Sequence, residues 1–315
     1  MSVAYVFPGQ GSQSVGMGEA LSAASPAAAA IFATADEALG EPISGLAFGG
    51  PAEDLDRTEN AQPALLATSI AYLAALRERT ESAEPAAFAA GHSMGQYSAL
   101  VAAGVISLAD GVRLVRERGR LMEASGAGRD GAMAAILGLD DGRLPELVDG
   151  AGRHGIFGVA NRNAPGQVVV SGERAAIESA AELAKELGAR KVVVLPVSVA
   201  AHSPLMAEAA DGMRRALAAI EFRDPQIPLL ANADAHPITT ADGARAELVD
   251  HLTAGVDWVA AVERMTAAGV TRFVEVGPGR VLTGLIKRIA PDAETLPLDD
   301  PNAPDRFAVP AATPA

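Results

Sequence analysis

The sequence predicts an α/β fold in which a larger domain is interrupted by a smaller α+β one. Three observations lead there. Apolar strand-like runs alternate with alanine-rich helical runs along most of the chain. The pentapeptide Gly91-His92-Ser93-Met94-Gly95 stands between a short apolar run, residues 85–90, and a helix-forming run, 96–103, that stops at Gly104. From about residue 131 to 198 the pattern changes to strand-like runs separated by two helical ones.

Residues 3–7 read as a buried strand, followed by the glycine-rich turn Pro8-Gly9-Gln10-Gly11-Ser12-Gln13. Past Gly16 and Gly18, an alanine-rich helix covers about 19–39. The turn looks like a phosphate cradle but lacks both G-x-G-x-x-G and the Gly-Lys-Ser/Thr of a P-loop. A loop donating backbone N–H groups to another site suits it better. Pro63 near the first turn introduces a helix over 64–79. After the serine-bearing unit, a helix over 110–124, capped around Ser107, carries Arg113, Arg116, Arg118 and Arg120. Residues 125–128 mark a boundary. The inserted region reads as strands over 132–137, 167–171 and 191–197, with helices over 144–150 and 175–187. The chain returns at Ala200-Ala201-His202-Ser203-Pro204. A helix to about 220, a strand near 227–232 and helices around 244–252 and 258–268 follow. A strand over 272–276 ends in Gly277-Pro278-Gly279, and a last helix runs to about 289. Residues 1–128 and 199–290 thus form one discontinuous domain and 129–198 the insertion. Residues 291–315, rich in Pro, Ala and Asp, read as a loose tail.

Composition narrows the function. A chain of 315 residues with 49% hydrophobic and only 4% aromatic residues builds its core from Ala, Val, Leu and Ile. No apolar run approaches the roughly 18 residues of a membrane span. The N-terminus lacks a basic flank and is not read as a signal peptide. There are no cysteines, which removes disulfides, thiolate metal sites and Cys nucleophiles. Nothing points away from a cytoplasmic protein, and a net charge of −14 argues against nucleic-acid binding. An acidic partner would need a local basic patch.

Strand, Gly-x-Ser-x-Gly, helix is the context in which a serine becomes a nucleophile. Its hydroxyl projects from a tight turn, the glycines let the backbones pass closely, and the helix N-terminus favours developing negative charge. Ser93 is the candidate. Such a serine needs a general base. Of the five histidines, His92 points away from its neighbour as a packing residue and His154 lies in the insertion. His236 and His251 sit in polar or helical surroundings, as surface residues do. His202, where the chain re-enters the large domain, is the best base. No acid before it stands out, although Asp130, Asp140 and Asp141 are candidates on paper. A backbone carbonyl can orient an imidazole instead, so a triad and a dyad both stay open. Arg118 shares a helix face with Leu114, Val115 and Met122 and so points inward. There a planar, permanently charged guanidinium suits a carboxylate. Arg113, Arg116 and Arg120 read as a solvated face.

These residues carry a resemblance. Phe7-Pro8-Gly9-Gln10-Gly11-Ser12-Gln13, Gly91-His92-Ser93-Met94-Gly95, Arg118-Gly119-Arg120-Leu121-Met122 and Asn163-Ala164-Pro165-Gly166-Gln167 match one family in order. So do Ala201-His202-Ser203-Pro204-Leu205-Met206 and the stretch from Glu275 to Leu285. The chain resembles the bacterial malonyl-CoA:acyl-carrier-protein transacylases, related to the acyltransferase domains of polyketide synthases. The resemblance implies a hydrolase-like large domain with a parallel sheet core and a ferredoxin-like insertion. It implies that Ser93 takes malonyl from CoA as an ester, with His202 as base and then acid. Backbone N–H groups of Gln10 and Met94 would form the oxyanion hole, and Arg118 would grip the malonyl carboxylate. Malonyl-CoA is then the substrate. An acyl carrier protein is the partner and carries the phosphopantetheine, while the chain itself binds no cofactor or metal. A monomer is expected.

Two departures from the family pattern matter. Ala201 stands where malonyl-selective members often have Phe, which enlarges the pocket towards methylmalonyl, whereas the apolar Met94 favours malonyl. His251, in His-Leu-Thr-Ala-Gly-Val-Asp-Trp, stands where the family usually has Gln. In relatives the carbonyl there orients the histidine, so His251 carries over as a backbone role only. The rival readings are an esterase or thioesterase using the same Ser93 and His202, and a non-catalytic docking module. Docking of the carrier protein is expected on Arg113, Arg116, Arg190, Lys191, Lys287 and Arg288.

Overall fold

The computed structural model describes residues 2–79, 86–128, 130–197 and 199–308. The expected domain boundaries at 129 and 198, the start of the run at 85 and tail residues 309–315 lie outside the described residues. The chain opens with β1 (Ser2–Phe7), α1 (Glu19–Ala24), α2 (Pro26–Leu39), α3 (Ile43–Gly49), α4 (Ala52–Asp56) and α5 (Thr58–Arg79). Then come β2 (Phe88–Gly91), α6 (Gly95–Ala102) and α7 (Leu108–Gly126). The insertion holds β3 (Gly131–Leu137), α8 (Leu144–Ala151), β4 (Phe157–Ala164), β5 (Gln167–Glu173), α9 (Arg174–Glu186) and β6 (Lys191–Val194). The return adds α10 (Ala207–Leu217), β7 (Leu229–Leu230), β8 (Pro237–Ile238), α11 (Ala241–Asp250) and β9 (Val256–Asp257). It closes with α12 (Trp258–Ala267), β10 (Val270–Val276), α13 (Val281–Ile289), β11 (Glu294–Leu298) and α14 (Ala303–Ala308).

The large sheet has the order β11-β10-β1-β2-β7-β8, parallel except for β8. A parallel sheet is covered on both faces, and β1 shows how. Val3, Tyr5 and Phe7 join the core under α2, α5, α6 and α7, whereas Ala4 and Val6 face Trp258, Val262 and Met265 of α12 and Leu282 and Ile286 of α13. The insertion runs β-α-β-β-α-β with the spatial order β6-β3-β5-β4, antiparallel, and α8 and α9 packed on one face. That is the ferredoxin-like arrangement. Its far edge is extended by β9, a strand of the returning chain, parallel to β4. Asp257 fixes this seam. Its carboxylate accepts from Arg162 Nη1 (2.7 Å) and from Ala260 N at the start of α12 (2.9 Å), and its own N–H donates to Asn232 O (2.7 Å).

Several expectations are corrected. The helix expected over 19–39 is broken at Ser25, whose hydroxyl accepts from Ala28 N and caps a new helix beginning with Pro26. Pro63 does not open α5, because Asn60 and Ala61 already donate to Arg57 O (2.9 and 2.8 Å). The insertion has a fourth strand, β4, that the apolar pattern does not show. Bulges between Val159 and Asn161 and between Arg162 and Ala164 break its alternation. Nor is the tail loose from 291. Glu294–Leu298 pairs with β10, and Leu298 is fully buried. Pro297, which lacks an N–H, is tolerated there because β11 is an edge strand.

Candidate active site

Ser93 sits on the turn between β2 and α6. Its φ of 53° is in the left-handed region, unusual for a side chain with a Cβ and the mark of a strained functional turn. The flanking glycines are obligatory. A Cβ on Gly91 would lie 1.9 Å from the Gly95 carbonyl carbon, and one on Gly95 would lie 2.2 Å from Phe7 O. Gln96 laces the turn to the sheet, accepting from Gly91 N (3.1 Å) and donating to Leu230 O (3.0 Å). Asn232, at the end of β7, accepts from Ser93 N (2.9 Å).

His202 Nε2 stands 2.8 Å from Ser93 Oγ. Its Nδ1 faces two carbonyls, His251 O at 2.7 Å and Ala254 O at 3.1 Å. A carbonyl only accepts, so the proton is on Nδ1 and the lone pair of Nε2 faces the serine hydroxyl. The three acids considered earlier serve elsewhere. Asp130 pairs with Arg174, Asp140 accepts from Gly142 N, and Asp141 bonds Arg162 and Gly166 N. Carbonyls orient His202. Burial and then the charge of Arg118 lower its pKa to about 4, so at neutral pH it is an unprotonated base.

Arg118 is 1% exposed. Its Nη1 donates to Gln62 Oε1 (2.9 Å), and its Nη2 donates to Ser93 Oγ (3.1 Å) and lies 3.5 Å from His251 Nε2. The Tyr97 ring lies 5.8 Å away. Among the described residues no carboxylate forms an ion pair with it. A buried cation without a counter-ion beside the nucleophile is an anion-binding position.

Met94 immediately precedes α6. Gln10 lies in the turn after β1, which packs on the Ser93 turn so closely that a Cβ on Gly9 would be 2.6 Å from His92 O. Ala201 is half-buried in the seam, against the small-sheet cluster of Met133, Ala160 and Val169. His92 bonds Asn163 Oδ1 through Nε2 (2.8 Å) and stands over Trp258.

Two surface expectations fail. His251 is fully buried, carried inward as α11 ends. Arg116 is 6% exposed, bonded to Asn60 Oδ1 (2.6 Å) and paired with Glu41. Its partners lie far away in sequence, so helix spacing could not show them. Gln62, Asn232 and Glu247 were not singled out either. Gln62 had a local signal, a polar residue inside an apolar run, whereas the other two acquire meaning only from the fold. No group of three or more metal-ligating side chains occurs among the described residues, and no helix of theirs is long and apolar enough to cross a membrane.

A serine with a carbonyl-held histidine and a carboxylate-seeking arginine can form an ester with an acidic acyl group. Known proteins agree. The malonyl CoA-acyl carrier protein transacylase of Bacillus subtilis (strain 168) is 43% identical over 300 residues, 95% of this chain and 94% of that protein. Its namesake in Escherichia coli (strain K12) is 44% identical over 300 residues, 95% and 96% of the two chains. A malonyl-transacylase solved in complex with its type II PKS acyl-carrier protein superposes with a TM-score of 0.94 at 40% identity. That match covers 98% of this chain and 99% of the other. Residues 4–309 match the family described as the acyl transferase domain, and the chain belongs to that family of enzymes.

Proposed function

We propose that this acyltransferase moves a malonyl group from malonyl-CoA to the phosphopantetheine thiol of an acyl carrier protein, for fatty acid or polyketide synthesis. The observation that carries the reading is the buried guanidinium of Arg118, 3.1 Å from Ser93 Oγ and without a carboxylate partner among the described residues. It gives the site a reason to select an acyl group that ends in a free carboxylate.

In the first half-reaction Ser93 Oγ attacks the thioester carbonyl carbon as its proton passes to His202 Nε2. The tetrahedral oxyanion accepts hydrogen bonds from Gln10 N–H and Met94 N–H, worth about 3–4 kcal/mol per donor. Collapse breaks the C–S bond, and the proton on His202 passes to the departing CoA sulfur. The carrier-protein thiol then attacks the Ser93 ester by the same steps in reverse, giving its proton to His202, which returns it to Ser93 Oγ. The carbonyls of His251 and Ala254 keep the Nδ1 proton and the ring orientation of His202 throughout. Arg118 holds the malonyl carboxylate.

Register supports a docking patch for the carrier protein. Arg288 bonds Pro165 O and Gln167, Gln167 pairs with Leu137, and Leu137 pairs with Lys191. Arg190, Lys191, Lys287 and Arg288, all exposed, thus gather at one end of the small sheet. Arg116 is committed to Glu41 and leaves the expected patch.

The experiment is intact-mass labelling with malonyl-CoA, methylmalonyl-CoA and acetyl-CoA in competition, followed by a chase with holo carrier protein. One malonyl adduct on Ser93 that moves to the carrier protein supports the reading. An unmodified serine overturns it, and an adduct lost to water but not to the carrier favours a hydrolase.

A further inference from the structure

A buried histidine–glutamate pair stands behind Arg118. His251 follows Glu247 by one helical turn, with its Nδ1 3.8 Å from Glu247 Oε1 and its Nε2 3.5 Å from Arg118 Nη2. The Tyr97 ring stands edge-on to the imidazole, centroids 6.1 Å apart at 90°, and also faces Arg118. Glu247 is 6% exposed, and its Oε1 accepts from Asn232 N at 2.7 Å. Among the described residues it pairs with no lysine or arginine.

The neighbours dictate the state of the ring. Burial, Arg118 and His202 all disfavour an imidazolium here, so His251 is neutral. A neutral imidazole has one donor and one acceptor. The nitrogen facing the guanidinium, which only donates, must be the acceptor, so the proton is on Nδ1, on the Glu247 side but without a hydrogen bond to it. Gln62 on Nη1 and His251 on Nη2 then hold the guanidinium from two sides, leaving one N–H of each nitrogen for a carboxylate. With Ser93 unacylated, Nη2 is shared with Ser93 Oγ. An ester oxygen is a poorer acceptor, so acylation releases Nη2 towards His251 and the malonyl carboxylate.

We propose that the His251 imidazole, beyond the carbonyl that holds His202, is the positioning residue of Arg118. It thereby helps to set the preference for carboxylate-bearing acyl groups. This rests on the roles given to Ser93 and Arg118 above.

The test compares His251→Leu with His251→Gln, both of which keep the main-chain carbonyl. Only the glutamine can offer Arg118 an acceptor. Transfer to holo carrier protein is measured from malonyl-CoA and acetyl-CoA. The leucine variant raises KM for malonyl-CoA about tenfold and lowers the malonyl-over-acetyl ratio of kcat/KM by a similar factor, with kcat less affected. The glutamine variant recovers most of both. Equal losses for the two acyl groups, or an unchanged ratio, overturn the proposal. Nitrogen-15 NMR of the wild type, assigned with His251→Gln, tests the tautomer even if the leucine variant does not fold. A neutral ring protonated on Nδ1 is expected, and an Nε2-protonated or charged ring at neutral pH overturns it. A wild type that forms no malonyl ester fails the proposed function instead, and so is told apart.

Discussion

Arg118 Nη2 donates to Ser93 Oγ at 3.1 Å, so the cation assigned to the substrate carboxylate also touches the nucleophile. The two ends of a malonyl group, the reacting carbonyl and the free carboxylate, are only one methylene apart. In the proposed roles one side chain answers to both ends. Two charge-assisted hydrogen bonds of about 1.5 kcal/mol or more each are at stake. Arg118→Ala is therefore expected to lose about 100-fold or more in malonyl transfer while gaining relative activity with acetyl-CoA. Arg118→Lys, which lacks the planar fork, falls closer to alanine than to wild type. Initial rates with both CoA esters check this, and equal loss for the two would make Arg118 a structural residue.

The pH profile of acylation follows His202. An imidazole acts as a base only above its pKa, and burial with the Arg118 charge brings this one down from 6.5 to about 4. In Glu247→Gln, which removes the buried carboxyl raised to about 7, the rate of malonyl-enzyme formation stays level as pH falls through 6.5. It drops only near about 4. A midpoint at the ordinary histidine value, in rapid-quench mass measurements, would contradict the geometry.

Glu247 makes a stability prediction. Burial raises its pKa from 4.5 to about 7. A carboxyl that holds its proton more tightly when folded stabilises the protein below 4.5, and that contribution drains away as pH rises towards 7. By then the loss is on the order of 3 kcal/mol. Glu247→Gln, neutral throughout, is expected to melt above wild type at about pH 8, with the gap closing as pH falls towards 4.5. Calorimetry across that range checks the sign, and a gap that widens in acid would refute it.

Ala201 lies beside His202 in the seam between the two sheets. A small side chain at this position is expected to leave room for a methyl branch on the acyl group. Wild type is expected to transfer methylmalonyl-CoA at a detectable rate, and Ala201→Phe to suppress that transfer more than malonyl transfer. No methylmalonyl adduct in a competition assay rejects the role.

What was legible in the sequence follows from how local each constraint is. The Ser93 turn could be read because its glycines answer to atoms a few residues away: Gly91 against Gly95, and Gly95 against the strand beside it. Arg118 could be read as inward because helix spacing alone sets its face. His251 misled because a histidine among polar neighbours on a helix resembles a surface residue until Tyr97 and Arg118 cover it. Asn232 comes under Ser93 only because β7 pairs with β2, and Glu247, on α11, reaches Asn232 only through the packing of that helix. Strand β4 was hidden by its bulges, and β11 by the proline and acidic residues around it.

Asp257 bonds at once to the small sheet, to the start of α12 and to the main chain of the residue that holds Ser93 N. The insertion therefore cannot be lifted out by cutting where the chain enters and leaves it. A chimaera that exchanges only residues 129–198 would set a foreign sheet against this chain's own edge strand, and would leave the bond to Asp257 to whatever residue replaces Arg162. The unit that keeps these bonds together is the insertion with the segment through Trp258, Asn232 included.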